Sequence, residues 1–85
     1  MRGGIFDLVI TLYPNPAKIH VTIDLGLNNK LVEIEIIDMN GKMVCAKTAS
    51  SQQIEIDTKE FVEGVYIVRL RAENYLVTKK LIIEK

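Results

Sequence analysis

Gly64-Val65-Tyr66-Ile67-Val68-Arg69-Leu70 alternates strictly, with Tyr66, Val68 and Leu70 on one face and Val65, Ile67, Arg69 and Arg71 on the other. Successive side chains of an extended chain point to opposite faces, so this period of two, rich in β-branched residues, predicts a strand. Glu73-Asn74 supplies a turn, and Lys79-Lys80-Leu81-Ile82-Ile83-Glu84-Lys85 is the returning strand, expected to run into the last residue. A chain end tied into a sheet escapes the fraying usual of termini.

Working outward, the same logic finds strands along the whole chain. Ile5 to Leu12 reads as a first strand, and Tyr13-Pro14-Asn15-Pro16 stops it as a rigid corner, because proline fixes φ and extends the residue before it. Ile19 to Asp24 follows, with Ile19, Val21 and Ile23 on one face and His20, Thr22 and Asp24 on the other. Gly26 to Lys30 has turn composition. Leu31 to Asp38 directs Val32, Ile34 and Ile36 inward and Glu33 and Glu35 to water. Asn40-Gly41 predicts a type I′ hairpin turn, which requires positive φ at both central residues. Lys42 to Lys47 returns with Val44 and Ala46 toward the core, and Thr48 to Ser51 is a polar loop. Gln53 to Asp57 points Ile54 and Ile56 inward, and Asp57-Thr58-Lys59-Glu60 is expected to cap one helical turn that drops Phe61 onto the core. About seven short antiparallel strands with no amphipathic helix predict an all-β fold, an immunoglobulin-like β-sandwich.

Composition narrows the function. Eighty-five residues make one domain, and 48% hydrophobic content supports a packed core. Eleven basic residues balance eleven acidic ones, which argues against a nucleic-acid partner and against a polybasic membrane anchor. Cys45 is the single cysteine, so the fold has no internal disulfide. The apolar run from Ile5 to Leu12 makes a poor signal peptide, since Asp7 interrupts it and no small-residue cleavage site follows.

Catalytic and metal chemistry lack their residues. His20 is the sole histidine, sits on a polar strand face, and has no Cys or His at ligand spacing. Cys45 would need a base, and His20 is the one imidazole available. The acids alternate with apolar residues as a solvated sheet face does, without the spacing of a calcium loop. The five glycines are scattered, so no loop cradles phosphate. The reading is a non-enzyme with no cofactor and no small-molecule substrate.

Three stretches exceed a generic sandwich: Leu12-Tyr13-Pro14-Asn15-Pro16, Ile37-Asp38-Met39-Asn40-Gly41-Lys42-Met43-Val44, and Gly64–Leu70 with its Lys79–Lys85 partner. In order and spacing they resemble the type A carboxy-terminal sorting domain of the type IX secretion system, the Por secretion system sorting family of Bacteroidetes. Ile37 stands where that family often has Tyr, and Leu70 where Val is usual. The resemblance covers residues 12–85 and leaves residues 1–11 as a linker, a first strand or an added start.

The resemblance implies a secretion signal that directs an upstream, covalently linked cargo through the periplasm and the outer membrane to the cell surface. Its partners would be the outer-membrane secretion machinery and a sortase-like peptidase that removes the domain. On this reading Tyr13, Pro14, Asn15, Pro16, Asp38, Gly41, Lys42, Gly64 and Tyr66 are structural motif residues. Lys79, Lys80, Leu81, Ile82, Ile83, Glu84 and Lys85 are the candidates for recognition, because a terminal strand offers unpaired N–H and C=O groups while lysines discourage indiscriminate pairing. The residues leave two rivals: an accessory fibronectin-like or carbohydrate-binding module, for which exposed aromatics are scarce, and a spacer that associates through an edge strand.

Overall fold

A computed structural model describes residues 10–26, 30–73 and 75–85. Its described residues form seven strands: β1 (Thr11–Tyr13), β2 (His20–Asp24), β3 (Val32–Ile37), β4 (Met43–Ala49), β5 (Gln53–Asp57), β6 (Gly64–Ala72) and β7 (Tyr75–Ile83). They make two antiparallel sheets, β1-β2-β5 and β4-β3-β6-β7. The chain changes sheet after β2, β4 and β5, which makes this a Greek-key sandwich.

The core lies between the sheets. Val21, Ile23 and Ile56 bring one side, and Val32, Ile34, Ile36, Tyr66, Val68, Leu70, Leu81 and Ile83 bring the other, all buried. Period-two patterning puts these side chains inside, and each fully buried aliphatic contributes about 1.5–3 kcal/mol. Cross-strand rows such as Ile36–Val68 and Ile34–Leu70 join the central strands of the larger sheet. Thr58 is the one fully buried polar side chain among the described residues; its hydroxyl donates to the Lys18 carbonyl at 3.3 Å.

Several local expectations change. Of the strand expected over Ile5–Leu12, residues 5–9 lie outside the described residues, and β1 begins only at Thr11. The expected turn over Gly26–Lys30 likewise includes undescribed residues 27–29. Ile19 precedes β2, and its side chain is exposed rather than packed with Val21 and Ile23. Asp57 caps a turn by accepting the Lys59 N–H, and the Phe61 N–H donates to Thr58 C=O, but no helix forms. Phe61 does pack on the core.

The β3–β4 hairpin departs most. Asn40 does not take positive φ; only Gly41 does, at +85°. Asp38 and Lys42 bracket a three-residue loop, with Gly41 N–H donating to Asp38 C=O and Asp38 N–H to Lys42 C=O. That is the geometry in which glycine ends the turn and a bulge follows. The register slips between Ile36 and Ile37, so Cys45, Lys47 and Ala49 oppose the inward Ile36, Ile34 and Val32. Ala46 is therefore exposed instead of inward. β4 also runs on to Ala49, through part of the expected loop.

Candidate functional site

The proline corner and the terminal strand, more than sixty residues apart in sequence, meet along one edge. β7 is an edge strand with β6 on one side. On its other side, Asn15 Nδ2–H donates to Lys80 C=O at 3.0 Å and Asn15 Oδ1 accepts the Ile82 N–H at 3.0 Å. Ala17 continues the ladder, its N–H donating to Ile82 C=O and its C=O accepting the Glu84 N–H, both at 2.8 Å. The carboxamide of Asn15 thus imitates a strand residue. The two peptide bonds that precede the prolines of the corner, Tyr13-Pro14 and Asn15-Pro16, are cis, and neither proline has an N–H that needs a partner. Tyr13 anchors the corner to the first sheet, its hydroxyl accepting from Gln53 Nε2 at 3.1 Å.

This arrangement corrects the expectation of an open terminal edge. From Lys80 C=O to Glu84 N–H the outward backbone groups are already bonded. Toward the turn, at Thr78 and Leu76, no described residue pairs with that side of β7. The strand also stops at Ile83, two residues before the expected end. Leu81 and Ile83 are buried core residues.

The three terminal lysines have three different surroundings. Lys85 is held: Nζ donates to the carbonyls of Lys18 at 2.7 Å, Thr58 at 3.0 Å and Lys59 at 3.4 Å, while its N–H donates to Glu63 Oε1 at 3.1 Å. Lys79 opposes buried Val68, on the core-facing row, yet is exposed at the rim of the sheet. Lys80 opposes Ile67, on the outer face, and is exposed. Adjacent residues of a strand point to opposite faces, so one flat partner cannot read both lysines.

The remaining motif residues build turns. Asp38 Oδ1 accepts the N–H groups of Asn40 and Lys42, both at 2.9 Å, and sets up the Gly41 turn. Gly64, at φ +154°, opens β6 in a region that side chains disfavour, although a Cβ there would meet nothing within 4 Å. Tyr66 is buried, its hydroxyl donating to Val62 C=O at 2.6 Å and its ring 5.3 Å from that of Phe61. Burial first, and the nearby Asp38 carboxylate second, push the Tyr66 hydroxyl above the usual phenol range.

Residues 11–84 match the family described as "Secretion system C-terminal sorting domain". The chain belongs to this family. As a sorting domain of the type IX system it carries the signal that takes a secreted protein across the outer membrane, and it interacts with the secretion machinery. A solved structure of PorZ, described as an essential bacterial surface component of the type-IX secretion system of Porphyromonas gingivalis, aligns with a TM-score of 0.77 at 16% identity. The alignment covers 91% of this chain and 12% of that one, and it establishes the sandwich fold. A search of curated proteins returns no match.

Within the sorting domain, His20 pairs with Glu55 at 3.7 Å on the outer face of the smaller sheet, while Cys45 lies on the other sheet. Among the described residues no group of three or more His, Cys, Asp or Glu could hold a metal. No helix among the described residues is long and apolar enough to cross a membrane. Sequence reasoning missed Ala17, Lys18 and Thr58 as parts of the terminal site. Their contribution is largely backbone carbonyls and amides, which leave no side-chain signature.

Proposed function

We propose that the sorting domain is read as a folded unit of residues 12–85, with Lys79–Lys85 as its address. The observation that carries this reading is the Asn15 clamp: the Tyr-Pro-Asn-Pro corner and the Lys-Lys-aliphatic end are one structural element only when the sandwich is folded. Lys80 is the part of the address turned outward, and Lys85 holds the segment in place.

In this reading a cargo domain precedes the chain, an amino-terminal signal brings the precursor to the periplasm, and the machinery then carries it to the cell surface. A sortase-like peptidase cuts upstream of the folded domain and attaches the cargo to the surface. No residue of the domain takes part in that chemistry.

The test fuses the chain behind a reporter with its own amino-terminal export signal, in a Bacteroidetes host. Deleting Lys79–Lys85 strands the reporter in the periplasm. Because that deletion also removes core residues Leu81 and Ile83, Lys80→Glu is the companion variant, acting on an exposed side chain. Surface delivery undiminished by both changes would sink the proposal.

A further inference from the structure

The outer face of the larger sheet is divided in two. Toward the β6–β7 turn it carries paired charges: Arg69 Nη2 lies 2.7 Å from Glu35 Oε1, and Arg71 Nη1 lies 3.6 Å from Glu33 Oε1. Toward the other end it is apolar. Ile37 opposes Ile67 across β3 and β6, Met43 opposes Ile37 on β4, and Val65 opposes Ile82 on β7. These residues alternate with buried Ile36, Tyr66, Val68, Leu81 and Ile83, so they point away from the core. Met43 is 47% exposed and the other four are half-buried.

An antiparallel sheet with one face on the core ordinarily turns polar residues to water on the other. An apolar strip spanning four strands, beside a half-face that obeys the rule except at exposed Leu76, is the composition of an interface centre. Its border supplies the charge that names the occupant. Lys80 shares a row with Ile37 and Ile67, and no described acid pairs with it, whereas both outward arginines are already matched.

We propose that this half-face, Ile37, Met43, Val65, Ile67 and Ile82 with Lys80 at its border, docks a protein of the export machinery. That partner presents an apolar strip flanked by a carboxylate that meets Lys80. The inference rests on the sorting reading and specifies its contact surface: the Lys79–Lys85 address is read from its outer face, through Lys80 and Ile82 and the apolar residues of the neighbouring strands, not from the strand's backbone edge.

The experiment uses the whole chain fused behind an exported reporter in a host with a working type IX system, with surface reporter as the readout. Val65→Thr/Ile67→Thr keeps β-branched residues while removing the apolar strip; Lys80→Glu reverses the border charge, and Lys80→Arg preserves it. Thr48→Asp, on the charged half of the same face, is the control. Val65→Thr/Ile67→Thr and Lys80→Glu lower surface delivery roughly tenfold, as loss of an interface centre does; Lys80→Arg lowers it less than Lys80→Glu, and Thr48→Asp leaves it unchanged. Circular dichroism of each purified chain establishes that it is folded; should the double variant not fold, Lys80→Glu decides. If the unaltered fusion fails to reach the surface, the sorting reading itself falls. If it reaches the surface and the folded variants follow it equally, the docking face is wrong. Self-association of the purified chain that Val65→Thr/Ile67→Thr abolishes would assign the face to a second copy and overturn the proposal.

Discussion

Asn15 and Ile82 are 67 residues apart in sequence, yet the Asn15 side-chain oxygen accepts the Ile82 N–H at 3.0 Å while its amide donates to the carbonyl of Lys80. One carboxamide fills two places in the ladder of the last strand. An edge strand presents a row of unsatisfied backbone groups, and here the chain covers part of that row with its own corner. The corner and the terminal strand are therefore a single device.

Asn15→Ala removes both bonds together. Each is worth about 0.5–1.5 kcal/mol net, so the expected loss is about 1–2 kcal/mol, toward the lower end because the site is exposed. In a domain of this size that lowers the thermal midpoint by roughly 4–12 °C. Amide hydrogen exchange at Ile82 rises more than at Leu81, whose strand partner is Tyr66. An unchanged midpoint and unchanged exchange would refute the clamp.

Lys85→Met keeps the aliphatic stem and discards the ammonium that bonds Lys18, Thr58 and Lys59 carbonyls. Hydrogen bonds from a charged donor contribute about 1.5–3 kcal/mol where water is excluded, and this partly exposed set is expected to contribute about 1 kcal/mol. Urea unfolding of the variant shows a lower midpoint with the same slope. Glu63→Gln, which only weakens the bond to the Lys85 N–H, has a smaller effect.

Asp24 sets an acid-side limit. The Gly26 N–H first, and the Gln53 amide second, hold its carboxyl below the usual aspartate range. A depressed folded pKa means the unfolded chain binds more protons in that window, so stability rises with pH there. The contribution is complete above the unfolded value, about 3.9, and is lost as pH falls through the lower folded value. Denaturant midpoints measured down the acid limb should flatten in Asp24→Asn relative to the parent chain.

Lys79 and Lys47 protect the two edges of the larger sheet. Each is on the core-facing row of an edge strand, opposite Val68 and Ile34 respectively. Inward-pointing charge on an edge opposes pairing with another copy. Lys79→Val/Lys47→Val should be monomeric when dilute but form larger species by sedimentation velocity as concentration rises. If it stays monomeric at the parent's highest soluble concentration, edge protection is not their role.

Much of the fold was legible because a strand's periodicity is local. Tyr66, Val68 and Leu70 are inward where alternation put them, as are Val32, Ile34 and Ile36, and the three turn-forming stretches at Tyr13–Pro16, Asp38–Lys42 and Asp57–Glu60 all turn the chain. The Ala46 assignment went the other way, since a bulge after the Gly41 turn shifts the phase of β4 by one residue, and a one-residue slip exchanges the two faces. A bulge depends on how two strands fit together, which alternation within either strand does not encode.

By itself the sequence determined the class of fold, the inward faces and the motif residues, because sterics at each residue and the period of two depend only on near neighbours. Tertiary structure alone decided that Asn15 closes the edge of β7 and that Lys85 is tethered to three carbonyls. Each of those facts joins residues at least 26 positions apart, and each joins a side chain to a backbone group. A backbone carbonyl is the same whatever residue carries it, so nothing in the order of side chains announces which one a distant lysine or asparagine will meet.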